Sequence, residues 1–198
     1  MKAPIKIGIT GGIGGGKSTL SEKLRDLGYW VYDSDIEARN LQNAHPEIKL
    51  KLKEFFGSDI YNDQGLDRPK LAKLVFGKPD FLAKLNSIIH PVVNADFKSW
   101  IDLHFNENLL FVESAILFES GFDQFVDKVI VMTASEEIRI ARVVKRDNVT
   151  IEQVKARMSH QLPDDRKIER ADFVIHSDDN KPLDEKMYKI LLDLGELV

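Results

Sequence analysis

Cysteine is absent from the 198 residues, which excludes disulfides and thiolate-ligated metals. The chain shows no internal repeat and no low-complexity linker. No apolar run is long enough to span a bilayer. Charge of one sign is also lacking. The net charge is −4, so there is no global basic field for nucleic acid or an anionic membrane, and any basic site is local. The start, Met1-Lys2-Ala3-Pro4, reaches the glycines from Gly11 without an apolar signal region. The expectation is a soluble, cytoplasmic chain. At 43% apolar residues it has enough for a sizeable core in one compact domain with insertions.

Five short stretches rich in Ile, Val and Phe read as buried strands: Ile5–Thr10, Trp30–Asp33, Leu109–Glu113, Lys128–Thr133 and Phe173–His176. Helical patterns separate most of them, which predicts an α/β fold with a five-stranded parallel sheet covered on both faces. Leu20, Leu24 and Leu27 recur at helical spacing, and Gly28 stops that helix. Two regions interrupt the alternation. The first, 36–105, has no good strand; Ile48, Leu52 and Phe55, then Leu71, Leu74 and Val75, predict a helical insertion. Pro46 suits a first turn there and Asp67 a cap. The second, 135–170, reads as an arginine-rich helical hairpin. Ser135 is placed to cap its first helix and Thr150 with Gln153 to form a capping box on the next. The expected nucleotide-binding core is then 1–35, 106–134 and 171–198.

The stretch "KIGITGGIGGGKSTL" packs six glycines, five of them directly after the first strand. Gly11-x-x-x-x-Gly16-Lys17-Ser18 matches the P-loop, with a strand before and a helix after. Glycines let backbone N–H groups turn toward a polyphosphate without side-chain clash, and the helix adds its positive N-terminal end. Gly12, Ile13, Gly14, Gly15, Gly16, Lys17, Ser18 and Thr19 are the candidate nucleotide-binding residues. Lys17 reaches the β- and γ-phosphates of ATP, and the Ser18 hydroxyl ligates Mg²⁺. A dinucleotide-binding loop fits less well, because Lys17 falls where close helix–strand packing requires a third glycine.

A P-loop does not by itself name the acceptor. "NKPLD" at Asn180 has the wrong spacing for a guanine reader, which disfavours a guanine-nucleotide switch. Asp33 ends the second strand, on the sheet edge where open α/β folds bind ligands, and its carboxylate is placed to take the proton of an attacking hydroxyl. Asp35 is placed to cap the next helix; both aspartates also suit turn and cap roles. Arg139, Arg142 and Arg146 share one helical face, with Arg157 and Lys167 beyond. Such a stripe suits a solvated face as well as a closing lid; the P-loop favours the lid. Glu113 ends the third strand and is a candidate Mg²⁺ partner, directly or through water, or else a turn residue.

An ordered set of motifs now resembles the dephospho-CoA kinase family over nearly the whole chain: "GITGGIGGGKST" from Gly8, "DSDIEAR" from Asp33, "LDRPKLAKLVF" from Leu66, "LNSIIHPVV" from Leu85, "ILFESG" from Ile116, "RVVKRD" from Arg142 and "HQLPDDRKIERADFVI" from His160. The resemblance implies a P-loop kinase that phosphorylates the ribose 3′-hydroxyl of dephospho-CoA with ATP and Mg²⁺, the last step of coenzyme A synthesis. It implies a helical CoA-binding region over 36–105 and a lid over 135–170. It makes Lys17, Asp33 and Arg142 the catalytic candidates and adds Arg146 to the nucleotide site. It assigns Asp33, Asp35, Arg39, His90, Arg157 and Gln161 to the acceptor. Another small-molecule or nucleoside monophosphate kinase, or a nucleotide-dependent switch without chemistry, stands as the alternative. The sequence departs from the family at Glu113, where Asp is usual, at Ala115, where proline is usual, and at "HSDDN" from His176, where the turn is usually Asn-rich.

Overall fold

In the computed structural model, which describes residues 3–196, the chain divides into two compact units at Asp33/Ser34 and Leu103/His104. Ser34–Leu103 forms one unit, and the segments on either side form the other. Residues 135–170 fall within the unit built by the flanking segments.

That flanking unit is built on five parallel strands: β1 (Ile5–Thr10), β2 (Trp30–Asp33), β3 (Leu109–Glu113), β4 (Lys128–Thr133) and β5 (Phe173–His176), in the order β2–β3–β1–β4–β5. All five match the sequence-based bounds, the three inner strands for a physical reason. A central parallel strand is covered on both faces and reads as a continuous apolar run. Ile7, Ile9, Leu110, Phe111, Val112, Val131 and Met132 are accordingly buried. Ile7 and Ile9 meet Leu20 and Leu24 of α1 (Lys17–Asp26), together with Met187, Ile190 and Leu191 from a C-terminal helix over Leu183–Asp193. Leu27 departs from expectation: the helix ends at Asp26, and Leu27 lies exposed beyond it.

The Ser34–Leu103 unit holds α2 (Ser34–Ala44), α3 (Pro46–Phe56), α4 (Arg68–Val75) and α5 (Pro79–Leu103). Pro46 stands in the first turn of α3, and the Asp67 carboxylate accepts the Lys70 N–H at 2.9 Å to cap α4. Ile48, Leu52, Ile60, Ile88, Val93 and Phe97 fill its core. Two expectations need correction. Phe56, not Phe55, turns inward from α3. The region also contains strand pairing, a hairpin of Tyr61–Asn62 with Gly65–Leu66. Its strands are too short to show alternation, and its turn is closed by the Asn62 side chain accepting the Gln64 N–H at 2.8 Å.

In the first unit again, α6 (Glu136–Asp147), α7 (Ile151–Met158) and α8 (Asp164–Ile168) follow β4, and the C-terminal helix is α9 (Leu183–Asp193). The Thr150–Gln153 capping box on α7 is present in both directions. Ser135 precedes α6 as its N-cap residue without a side-chain cap bond; its N–H donates to Asp178 at 2.6 Å instead. The three arginines of α6 are not equivalent: Arg139 is buried, whereas Arg142 and Arg146 are exposed.

Candidate active site

The loop from Gly11 to Gly16 turns tightly between β1 and α1, closed by a Gly15 N–H to Gly12 carbonyl bond of 3.0 Å. Space and backbone conformation together require glycine at Gly11, whereas at Gly12 the crowding comes from a flexible side chain. Gly11 adopts φ 143°, and a Cβ there would lie 2.0 Å from the Met132 carbonyl oxygen. A Cβ on Gly12 would lie 1.9 Å from the Arg139 guanidinium. Lys17 opens α1, and its buried ammonium donates to the Gly11 carbonyl at 2.9 Å and the Gly12 carbonyl at 3.4 Å. The cation therefore curls over the loop that carries it.

The next residue links this loop to the sheet. Ser18 Oγ donates to Glu113 Oε1 at 2.9 Å. Glu113 is only 5% exposed, and its Oε2 has no hydrogen-bond partner among the described residues. A buried, half-satisfied carboxylate beside a hydroxyl is the donor set that a hard cation takes. The described residues contain no cluster of three or more His or acidic side chains able to hold a metal by themselves. The pair is chemically suited to Mg²⁺ carried by a nucleotide, for which Ser18 and Glu113 would supply two contacts and phosphate oxygens and water the rest. Asp33 is the register partner of Glu113 across β2 and β3, so both carboxylates end their strands side by side, and Asp33 is half-buried.

On the other side of the loop, Arg142 donates to the Gly14 carbonyl at 3.2 Å, to Ser177 Oγ at 2.7 Å and to the Ser177 carbonyl at 2.9 Å. It lines a cavity of about 320 Å³ with Gly16, Thr19, Met132 and Ser177. Arg139 takes the place over Gly12. Its guanidinium donates to Asp164 Oδ1 at 3.2 Å, while Asp164 Oδ2 accepts the Thr133 hydroxyl at 2.7 Å. Burying an arginine is tolerable because Asp164 balances its charge. Helical spacing puts Arg139 in the stripe without tying it to the loop, and nothing local in the sequence signals the contact that Asp164 makes. The same holds for Ser177.

Of the remaining candidates, Ile13 donates its N–H to Gln161 Oε1 at 2.9 Å. Arg146 and Arg157 form a separate cluster, both on Asp147, at 2.7 and 2.8 Å. Hydrogen bonding by Arg146, with further help from Arg157, holds the Asp147 carboxyl below its usual pKa. Asp35, Arg39 and His90 belong to the other unit. Asp35 stands in the first turn of α2, where a carboxylate favours the helix dipole, and the exposed Arg39 offers its carbonyl to Arg68. His90 precedes Pro91 inside α5, and burial pushes its imidazole pKa down.

A P-loop at the C-terminal edge of a β2–β3–β1–β4–β5 parallel sheet, with a lysine, a hydroxyl and paired acidic strand ends, defines a P-loop kinase. A shikimate kinase from Acinetobacter baumannii shares this fold, with a TM-score of 0.56 at 17% identity over 97% of this chain and 94% of its own. The chain belongs to the dephospho-CoA kinase family, whose model matches residues 5–182. It is similar to a dephospho-CoA kinase of Bacteroides fragilis, 38% identical over 98% of this chain and 95% of the relative. It is also similar to one from Chlorobaculum tepidum, 36% identical over 99% of this chain and all of the relative. Among solved structures, TT1252 from Thermus thermophilus aligns with a TM-score of 0.84 at 35% identity over the whole of both chains. Dephospho-CoA kinase from Campylobacter jejuni aligns with a TM-score of 0.68 at 27% identity over 96% of each.

Proposed function

We propose that the chain transfers the γ-phosphoryl group of ATP to the ribose 3′-hydroxyl of dephospho-CoA, giving coenzyme A and ADP. Family membership supports the reaction. The observation that carries the site is the Ser18–Glu113–Asp33 arrangement at the sheet edge. In this reading the amides of Gly14 and of Gly16 to Thr19 hold the polyphosphate, and Lys17 leaves its loop carbonyls for the β- and γ-oxygens. Ser18 and Glu113 would hold Mg²⁺, which when bound would neutralise charge on the phosphates. Asp33 orients the 3′-hydroxyl and accepts its proton. The 3′-oxygen bonds to the γ-phosphorus as the bond to the β,γ-bridging oxygen breaks, and ADP departs. Little covalent chemistry is asked of the protein; positioning and charge compensation supply the rate.

Arg142 compensates charge on the moving phosphoryl group, and Arg146 adds to the nucleotide site. Asp35, Arg39, His90 and Arg157 serve the acceptor. Residues 36–105 form the CoA-binding region, and 135–170 act as a lid that excludes water, which otherwise hydrolyses ATP. Among the described residues no helix is long and apolar enough to cross a membrane. The proposed enzyme is cytoplasmic and acts on two small-molecule substrates.

Mass analysis of dephospho-CoA after incubation with Mg-ATP tests the reaction. Gain of one phosphoryl group is expected. An unchanged mass with ATP bound would rule out dephospho-CoA as the acceptor and leave another small-molecule kinase or a nucleotide-dependent switch.

A further inference from the structure

A lysine with no solvent exposure needs an explanation, because a buried ammonium is costly unless paired and hydrogen-bonded. Lys167 of α8 is such a residue, at 0% exposure. Its Nζ donates to the Ala115 carbonyl at 3.2 Å and lies 3.3 Å from Glu119 Oε1. The same Glu119 oxygen accepts the Leu162 N–H at 2.6 Å. Lys167 and Glu119 therefore fix both the turn that follows β3 and the chain that returns from α7 to α8.

Gln161 lies between those two segments, next to Leu162. Its Nε2 donates to the same Ala115 carbonyl at 3.1 Å, and its Oε1 accepts the Ile13 N–H at 2.9 Å. Only one orientation of a side-chain amide meets a carbonyl on one side and an N–H on the other. One side chain thus joins the P-loop, at a separation of 148 residues, to the turn after the strand that ends in Glu113. The Ile13 amide, committed to Gln161, points at a protein acceptor. The Gly15 amide is likewise spent inside the loop, on the Gly12 carbonyl.

We propose that Gln161, held in place by Lys167 and Glu119, is a positioning residue that fixes the curvature of the P-loop, and that it sets nucleotide affinity rather than acceptor affinity. This rests on the P-loop being the nucleotide site, and it departs from the acceptor role given to Gln161 above. A glycine-rich loop has large conformational freedom, and a single anchor at its third residue removes part of the ordering cost that nucleotide binding otherwise bears.

The test uses the full chain with Gln161→Leu, which keeps bulk without the two hydrogen bonds, and Lys167→Met. ADP binding is measured by calorimetry with no acceptor present, beside the KM values for ATP and dephospho-CoA and the thermal midpoint without nucleotide. Gln161→Leu is expected to weaken ADP binding by about three- to tenfold and to raise the ATP KM in step, with the dephospho-CoA KM within about twofold of wild type. Lys167→Met is expected to move ADP affinity in the same direction. Unchanged ADP affinity in Gln161→Leu, or a rise confined to the dephospho-CoA KM, overturns the proposal even if Lys167→Met fails to fold. Wild type that binds no ADP sinks the P-loop reading and this proposal together. Wild type that binds ADP but does not phosphorylate dephospho-CoA sinks only the acceptor, and the ADP comparison still decides the role of Gln161.

Discussion

Ser18 Oγ and Glu113 Oε1 meet at 2.9 Å, joining the first turn of α1 to the end of β3 across 95 residues of sequence. Glu113 thus holds the magnesium-binding hydroxyl of the proposed site while keeping a second, unpaired oxygen. Glu113→Gln replaces one carboxylate oxygen by an amide and lowers the charge. The free Mg²⁺ concentration for half-maximal activity should rise by about ten- to a hundredfold. Titration of activity with Mg²⁺ at fixed ATP checks this, and an unmoved midpoint removes Glu113 from the metal site.

Asp33→Asn keeps the shape of the β2 end and removes its basicity. Turnover should fall by about 10²- to 10⁴-fold, with ATP affinity little changed. Steady-state kinetics with nucleotide binding measured separately decide this; equal turnover in the two proteins takes Asp33 out of the base role.

Arg142→Ala deletes a guanidinium that bridges the Gly14 carbonyl and Ser177. Transfer should slow by about tens- to a thousandfold, as expected of a charge held against the moving phosphoryl group. Single-turnover rates at saturating ATP separate this from ground-state binding. A change confined to the ATP KM reassigns Arg142 to the 320 Å³ cavity it lines.

Burial lowers the His90 pKa from its ordinary 6.5. For a base with a depressed folded pKa, the unfolded chain takes up its proton first as pH falls. The native state therefore keeps its full stability above about pH 6.5 and loses it progressively below, down to the folded pKa. Thermal midpoints measured from pH 7.5 to 5.5 should drop more steeply in wild type than in His90→Asn. Parallel pH profiles contradict this account of His90.

The sheet was legible because its chemistry is local. Each strand carries its own apolar run, and Asp67, Thr150 and Gln153 announce helix starts within a few residues of the bonds they make. The P-loop was legible for the same reason. What escaped depends on partners distant in sequence. Spacing puts Arg139, Arg142 and Arg146 on one face, yet Asp164, Ser177 and Asp147 sort them into three environments. Nothing near Lys167 in the sequence signals that Glu119 will neutralise it. The Tyr61–Leu66 hairpin escaped because paired strands of two residues leave no periodicity to detect.

The central claim is that the acidic end of β2 readies the ribose hydroxyl opposite the P-loop. A crystal structure with dephospho-CoA and a non-hydrolysable ATP analogue tests it most directly. The account predicts the 3′-oxygen within about 2.6–3.2 Å of an Asp33 carboxylate oxygen and in line with the γ-phosphorus. A ribose bound elsewhere, with Asp33 touching neither substrate, contradicts it.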